Sequence, residues 1–308
     1  MINFRYHVVS LTAVFLALAI GLVVGTTALN GPVSENLRDQ VTELNKDNSV
    51  KRDQVNQLKE ETNRSQDFAA EIAPFVLAGK LTGRKIAVVA LPGGKDSADG
   101  VVTELNVAGA TITANVTIED KFFDPSYANE LLDLADQSSQ PSIPVSGLPL
   151  NSDGVETASA LLALTLMQGT TAVTESDVTA VLAAFTKPGY LSVADDAAGS
   201  AEAVVLVAGA PATDKDAAKK SKSALTMATQ FKDRMTVVAG DGVGDGNLVA
   251  AVRDDPTLVK SISTVDNVST VQGQVSTAMA TVERLVQNKT GQYGLATGAT
   301  SMVPSAAP

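Results

Sequence analysis

The stretch Val8 to Leu29 (VVSLTAVFLALAIGLVVGTTAL) holds 22 residues and no charge. At 1.5 Å rise per residue, a helix of that length is about 33 Å long, enough to cross the roughly 30 Å hydrocarbon core of a bilayer. A helix satisfies its own backbone hydrogen bonds in that medium, so the stretch predicts one transmembrane helix. A secretory signal has a basic start, an apolar run of about 7–15 residues and a small-residue cleavage site. Here Arg5 alone supplies the basic start, the run is longer, and Thr26 and Ala28 make a poor site. An uncleaved signal-anchor is therefore expected. Residues 1–7 form a cytoplasmic stub, 8–29 the membrane helix, and the bulk of the chain lies outside. The Lys/Arg balance across the helix is nearly even, so the shortness of the stub carries this single-pass orientation.

Small residues recur at every fourth position of the helix, at Ala13, Ala17, Gly21 and Gly25. Gly21-x-x-x-Gly25 is the spacing that lets two helix backbones approach closely, and Ala17 extends the same face. Asn30-Gly31-Pro32 then marks the membrane exit. Across 34–73 the pattern turns to heptads. With Val41 at position a, position d falls on Leu37, Leu44, Lys51, Leu58, Ser65 and Ile72. Position a continues through Asn48, Val55, Thr62, Ala69 and Val76. β-Branched residues at a with Leu at d suit a parallel two-stranded coil, and an Asn at a sets register. The expected seam is Leu37, Val41, Leu44, Asn48, Val55 and Leu58, interrupted by Lys51, Thr62 and Ser65. An amphipathic helix folded back on its own domain is the alternative. The small-residue face and the seam would pair the same two chains, which favours a parallel homodimer.

After a hinge expected over Pro74–Gly83, residues 83–290 read as an α/β ectodomain. Lys85–Leu91 is a short apolar run of the kind buried on both faces of a sheet. Thr111–Ile118, Tyr190–Val193, Ala203–Val207 and Met235–Ala239 read as further strands, and Ile262–Val268 as an edge strand. Helical segments alternate with them. Val155–Met167 is apolar but holds 13 residues, too few to span a bilayer, and reads as a core helix. Alternating strands and helices predict a Rossmann-like, doubly wound, mainly parallel sheet. Residues 291–308 are of low complexity and read as a disordered tail.

Composition removes several function classes. The net charge of −11 argues against nucleic acid as a partner, since that needs clustered Lys and Arg. Without Cys there is no thiolate catalysis and no thiolate metal site. His7, the only histidine, falls at headgroup level, and no G-x-S-x-G occurs. Two loops lie where doubly wound sheets bind ligands. Leu91-Pro92-Gly93-Gly94-Lys95 resembles a phosphate cradle without its spacing, and Gly240-Asp241-Gly242-Val243-Gly244-Asp245-Gly246 lacks the pattern of a calcium loop. The first reads first as a plain turn and the second as a flexible loop. Asp195-Asp196 is an adjacent acid pair whose members point apart. No enzyme, no cofactor and no metal site is expected.

Arg5-Tyr6-His7-Val8-Val9-Ser10-Leu11 running into FLALAIGLVVGT, Gly83-Arg84-Lys85-Ile86 and Gln292-Tyr293-Gly294 together resemble the MctB/SteB family of actinobacteria. The resemblance implies one of two roles. One is copper transport or efflux in the cell envelope. The other is cell separation, in which a cytosolic SteA-like protein and a RipA-type cell-wall hydrolase are the partners. Copper sites want Cys, Met or His, and this chain has no Cys, one His and six Met. One helix does not enclose a pore. On the residues alone, a non-enzymatic homodimeric scaffold in the lipid bilayer is the favoured expectation, with copper transport second and a degenerate small-molecule module using the Gly93-Gly94-Lys95 loop third.

Overall fold

Helix α1 runs over Phe4–Leu29 and α2 over Pro32–Leu77 in the computed structural model, which describes residues 4–29, 32–143, 145–169, 172–194, 197–242 and 244–305. The chain divides into two units, Met1–Arg64 and Ser65–Pro308.

In the first unit, α1 is long and apolar enough to cross a membrane over Phe4–Thr27, and none of that span is buried. A helix that is apolar all round needs lipid or protein on every side. Its threonine hydroxyls are satisfied within the helix: Thr12 donates to the Val8 carbonyl at 2.7 Å and Thr27 to the Val23 carbonyl at 2.8 Å. That internal pairing removes much of the penalty for placing them in hydrocarbon. The helix α2 does not stop where a hinge was expected. It continues through Pro74 to Leu77 and ends in a turn with Gly79 and Gly83 at positive φ, where a residue without Cβ is favoured.

In the second unit the strands are β1 Lys85–Ala90, β2 Thr111–Ile118, β3 Leu191–Val193, β4 Ala203–Val207, β5 Met235–Ala239, β6 Ile262–Val265 and β7 Gln292–Tyr293. They form one sheet in the order β3-β2-β1-β4-β5-β6-β7. Every pairing is parallel except β2 with β3. The order is that of a doubly wound sheet, which reverses direction between β1 and β4. Both edge strands are very short, which limits unpaired backbone at the edges.

The helices are α3 Lys95–Val107, α4 Ala128–Gln137, α5 Gly154–Leu166, α6 Glu175–Thr186, α7 Ala217–Gln230, α8 Leu248–Asp254, α9 Leu258–Ser261 and α10 Val271–Val282. Strand side chains alternate between two cores. Ile86, Val88, Val205, Val207 and Val237 face one core with Val101, Leu105, Ala278 and the α2 residues Ala73 and Leu77. Ala87, Val89, Val204, Leu206 and Val238 face the other with Leu131, Leu161, Val181, Phe185 and Met227. This two-sided cover is why the strands read as continuous apolar runs. The short apolar helix α5 is buried along most of its length, as its 13 residues predict.

Two expectations are corrected. The edge strand expected at Ile262–Val268 is interior, ends at Val265, and is flanked by β7. Residues 291–301, expected to begin a disordered tail, are tied to the sheet through β7. Tyr293 is buried, the Thr300 amide donates to the Gln292 carbonyl at 2.7 Å, and the Gly294 amide to the Ser301 carbonyl at 3.0 Å. Backbone groups do most of this work, so a low-complexity sequence concealed it.

Candidate functional site

In an open doubly wound sheet the ligand crevice lies past the carboxyl ends of the strands where their order reverses. Here that is the space between the loops after β1 and β4. A crevice of about 260 Å³ is present there, lined by Pro92, Gly93, Asp120, Gly209, Lys220 and Ser221 among others. The loops that frame it are interlocked. A Cβ on Gly94 would overlap the Val207 carbonyl, and one on Gly209 would overlap the Pro92 carbonyl. The glycines of the first loop therefore serve backbone-to-backbone packing, the plain-turn reading. Lys95 opens α3 and does not line the crevice.

The crevice rim is charge-paired. Lys220 donates to Asp214 at 2.6 Å; that bond raises the Lys220 pKa and lowers the Asp214 pKa. Asp124 is also held below the ordinary carboxylate range, first by the Ser126 amide at 2.8 Å. Nearby, the Lys121 ammonium lies 4.3 Å from the Tyr190 ring centroid and donates to Glu130 at 2.9 Å. Burial pushes the Tyr190 phenol above its usual pKa.

The Asp/Gly loop after β5, expected to be flexible, is tied down at Asp241 and Asn247. The Asp241 carboxylate accepts from the Ser269 amide at 2.9 Å, the Asn247 side-chain amide donates to the Asp241 carbonyl at 2.8 Å, and Asn247 caps α8. Asp195-Asp196 lies outside the described residues. Among the described residues, no group of three or more His, Cys, Asp or Glu could hold a metal ion. Of the thioethers, Met167 and Met227 are core and Met302 is exposed; Met167 and Met235 also line a second cleft together with Arg84, Arg234 and Arg284.

The expected seam residues Leu37, Val41, Leu44, Asn48, Val55 and Leu58 are all exposed on α2, the apolar ones 49–67%. Ala17, Gly21 and Gly25 lie on α1, and a Cβ at either glycine would meet open space.

No local pattern announces the polar locks around Gly83-Arg84-Lys85-Ile86 and Gln292-Tyr293-Gly294. Arg84 pairs with Glu202 at 2.5 Å and also donates to the Leu285 carbonyl. The Tyr293 phenol donates to Glu283 in a buried hydrogen bond. Partners more than 100 residues apart, such as Arg84 and Glu202, leave no local pattern.

A family model described as "Copper transport outer membrane protein, MctB" matches residues 1–304. Proteins named "Copper transporter MctB" from Mycobacterium bovis and Mycobacterium tuberculosis are 28% identical over 316 residues, covering 99% of this chain and 100% of theirs. The protein of that name from Mycobacterium leprae is 30% identical over 315 residues, covering 98% of this chain and 99% of its own. These matches favour the copper-transport description over the cell-separation description, the other role that the resemblance implies. With its N-terminal apolar helix and its α/β domain, this chain belongs to the MctB family of membrane proteins.

Proposed function

We propose that this protein acts in copper transport in the cell envelope, as a homodimer anchored by one membrane helix with its N-terminus in the cytoplasm. The observation that carries this reading is the end-to-end match to proteins named copper transporter, 99% of this chain against 100% of theirs. A single helix encloses no pore, and soft donors are few, so the protein serves transport as an anchored assembly partner and not as a channel by itself. The test is the copper content of cells lacking the protein, grown in graded copper, with and without the full-length chain restored. Copper content unaffected by its loss would contradict the reading.

A second reading is favoured by α2. A helix whose apolar seam is half-exposed or more gains stability by pairing, and the seam's a and d residues suit a parallel two-stranded coil. Under this reading the dimer is a non-enzymatic scaffold in cell separation. A cytosolic SteA-like protein meets the N-terminal stub, and a RipA-type hydrolase meets the coil or the α/β domain. Capture of the hydrolase by the full-length chain, lost in Val41→Asp/Leu44→Asp, would support it. Undiminished capture by that variant would contradict the coil's part.

A further inference from the structure

A cleft of about 530 Å³ opens at the amino ends of the strands, next to the starts of β1, β4 and β5 and away from the interlocked loops. Its wall carries four cations, Arg84, Lys232, Arg234 and Arg284, against two carboxylates, Glu202 and Asp233. In a chain with 34 acids and 23 bases this is a local reversal of charge sign. Only Arg84 among the four is ion-paired within the described residues, to Glu202.

Arg284 is 7% exposed, and its guanidinium donates to neutral oxygens: Thr290 Oγ1 at 2.9 Å and the Ser261 carbonyl at 3.0 Å. Its Nε is buried without a hydrogen-bond partner. Burial opposes its charge and neighbouring Glu283 supports it, while Glu283 is itself engaged by the Tyr293 phenol. Arg234 donates from Nη1 to the Gln168 carbonyl at 2.8 Å, and its fork makes no other hydrogen bond among the described residues. A buried guanidinium is retained at a cost that an anionic ligand would offset.

We propose that this cleft binds a small molecule through a phosphate group. The wall has two more positive than negative charges, and a phosphate monoester carries about −1.5 to −2 at neutral pH. Guanidinium forks match its oxygens in paired hydrogen bonds. The volume falls in the roughly 300–1,000 Å³ range of small-molecule sites, with room for a sugar-sized group beside the phosphate. Met167 and Met235 share the cleft, but its positive charge opposes a copper ion there, so this site is independent of the copper reading.

The test uses the full-length chain in detergent micelles. Its thermal unfolding is followed with inorganic phosphate, a sugar phosphate and succinate at matched ionic strength. Binding predicts a saturable rise in Tm with either phosphate compound. Lys232→Gln/Arg234→Gln should weaken phosphate binding at least about tenfold. Arg234→Lys, which keeps charge without the fork, should fall between the double variant and the native protein. No saturable rise with either phosphate compound would overturn the proposal. An undiminished rise in the double variant would place the anion elsewhere, and succinate binding as tightly as the sugar phosphate would overturn the phosphate assignment.

Discussion

Arg253 donates from Nη1 to the Asp266 carboxylate at 2.8 Å, and the two side chains are only 5% and 1% exposed. Arg253 also donates to Thr264 Oγ1 and to the carbonyls of Tyr293 and Thr297. Asp266 accepts the backbone amides of Leu295 and Ala296. One buried pair thus ties α8, the end of β6 and the chain after β7 together. Gly294, at φ +127°, passes so close to Asp266 that a Cβ would overlap the carboxylate, which explains the glycine of Gln292-Tyr293-Gly294. Removing one partner of a buried, hydrogen-bonded pair leaves a charge uncompensated. Arg253→Ala or Asp266→Ala should each cost about 3–5 kcal/mol. Denaturant unfolding of the full-length chain checks this; a loss under about 1 kcal/mol in both would refute the lock.

The loops after β1 and β4 interlock through Gly94 and Gly209, so added atoms must displace backbone. Gly209→Ala should destabilise by about 1–3 kcal/mol. The nearby Gly93→Ala, with its nearest neighbours at 3.7–4.0 Å, meets strain mainly through its positive φ and makes the comparison. Denaturation midpoints of the two variants separate packing from backbone conformation.

Glu104 on α3 is buried, and its Oε2 has no hydrogen-bond partner. Burial raises its pKa above 4.5. The folded state then keeps a proton that the unfolded state has lost, so this group's contribution falls as pH rises from 4.5 through the raised value. Glu104→Gln should raise Tm at pH 7 and lose that advantage near pH 4. Asp177 has the opposite sign. Its carboxylate accepts from the Ser142 hydroxyl at 2.5 Å and amide at 3.0 Å, its pKa is lowered, and its contribution disappears on acidification. Tm measured against pH for Glu104→Gln and Asp177→Asn distinguishes them; parallel curves for both variants would contradict these assignments.

The proposed coil makes its own prediction. Asn48→Val should strengthen self-association while loosening register, because the polar a residue trades stability for alignment. Leu44→Asp should abolish association. Sedimentation equilibrium of the full-length chain in matched-density detergent reads both. A native protein that is monomeric at all concentrations would refute the coil.

Much of this architecture was legible from period and length. Val8–Leu29 was marked by the absence of charge over 22 residues, and β1, β2, β4 and β5 by short β-branched runs. Gln292–Tyr293 was missed because a two-residue strand has no period, and what fixes it, Arg253 and Asp266, lies 26 or more residues away. The cleft at the amino ends was invisible for the same reason: Arg84, Lys232, Arg234 and Arg284 come from separate segments, and only the strand order brings them together. Pro74 misled in the other direction, reading as a break where the helix runs on to Leu77.

The most direct test of the central claim is the copper content of cells that lack the protein, compared with cells carrying the native chain or Leu44→Asp. A role in copper efflux by an anchored dimer predicts copper accumulation on loss, reversal by the native chain and no reversal by Leu44→Asp. Unchanged copper content in cells lacking the protein would contradict the account.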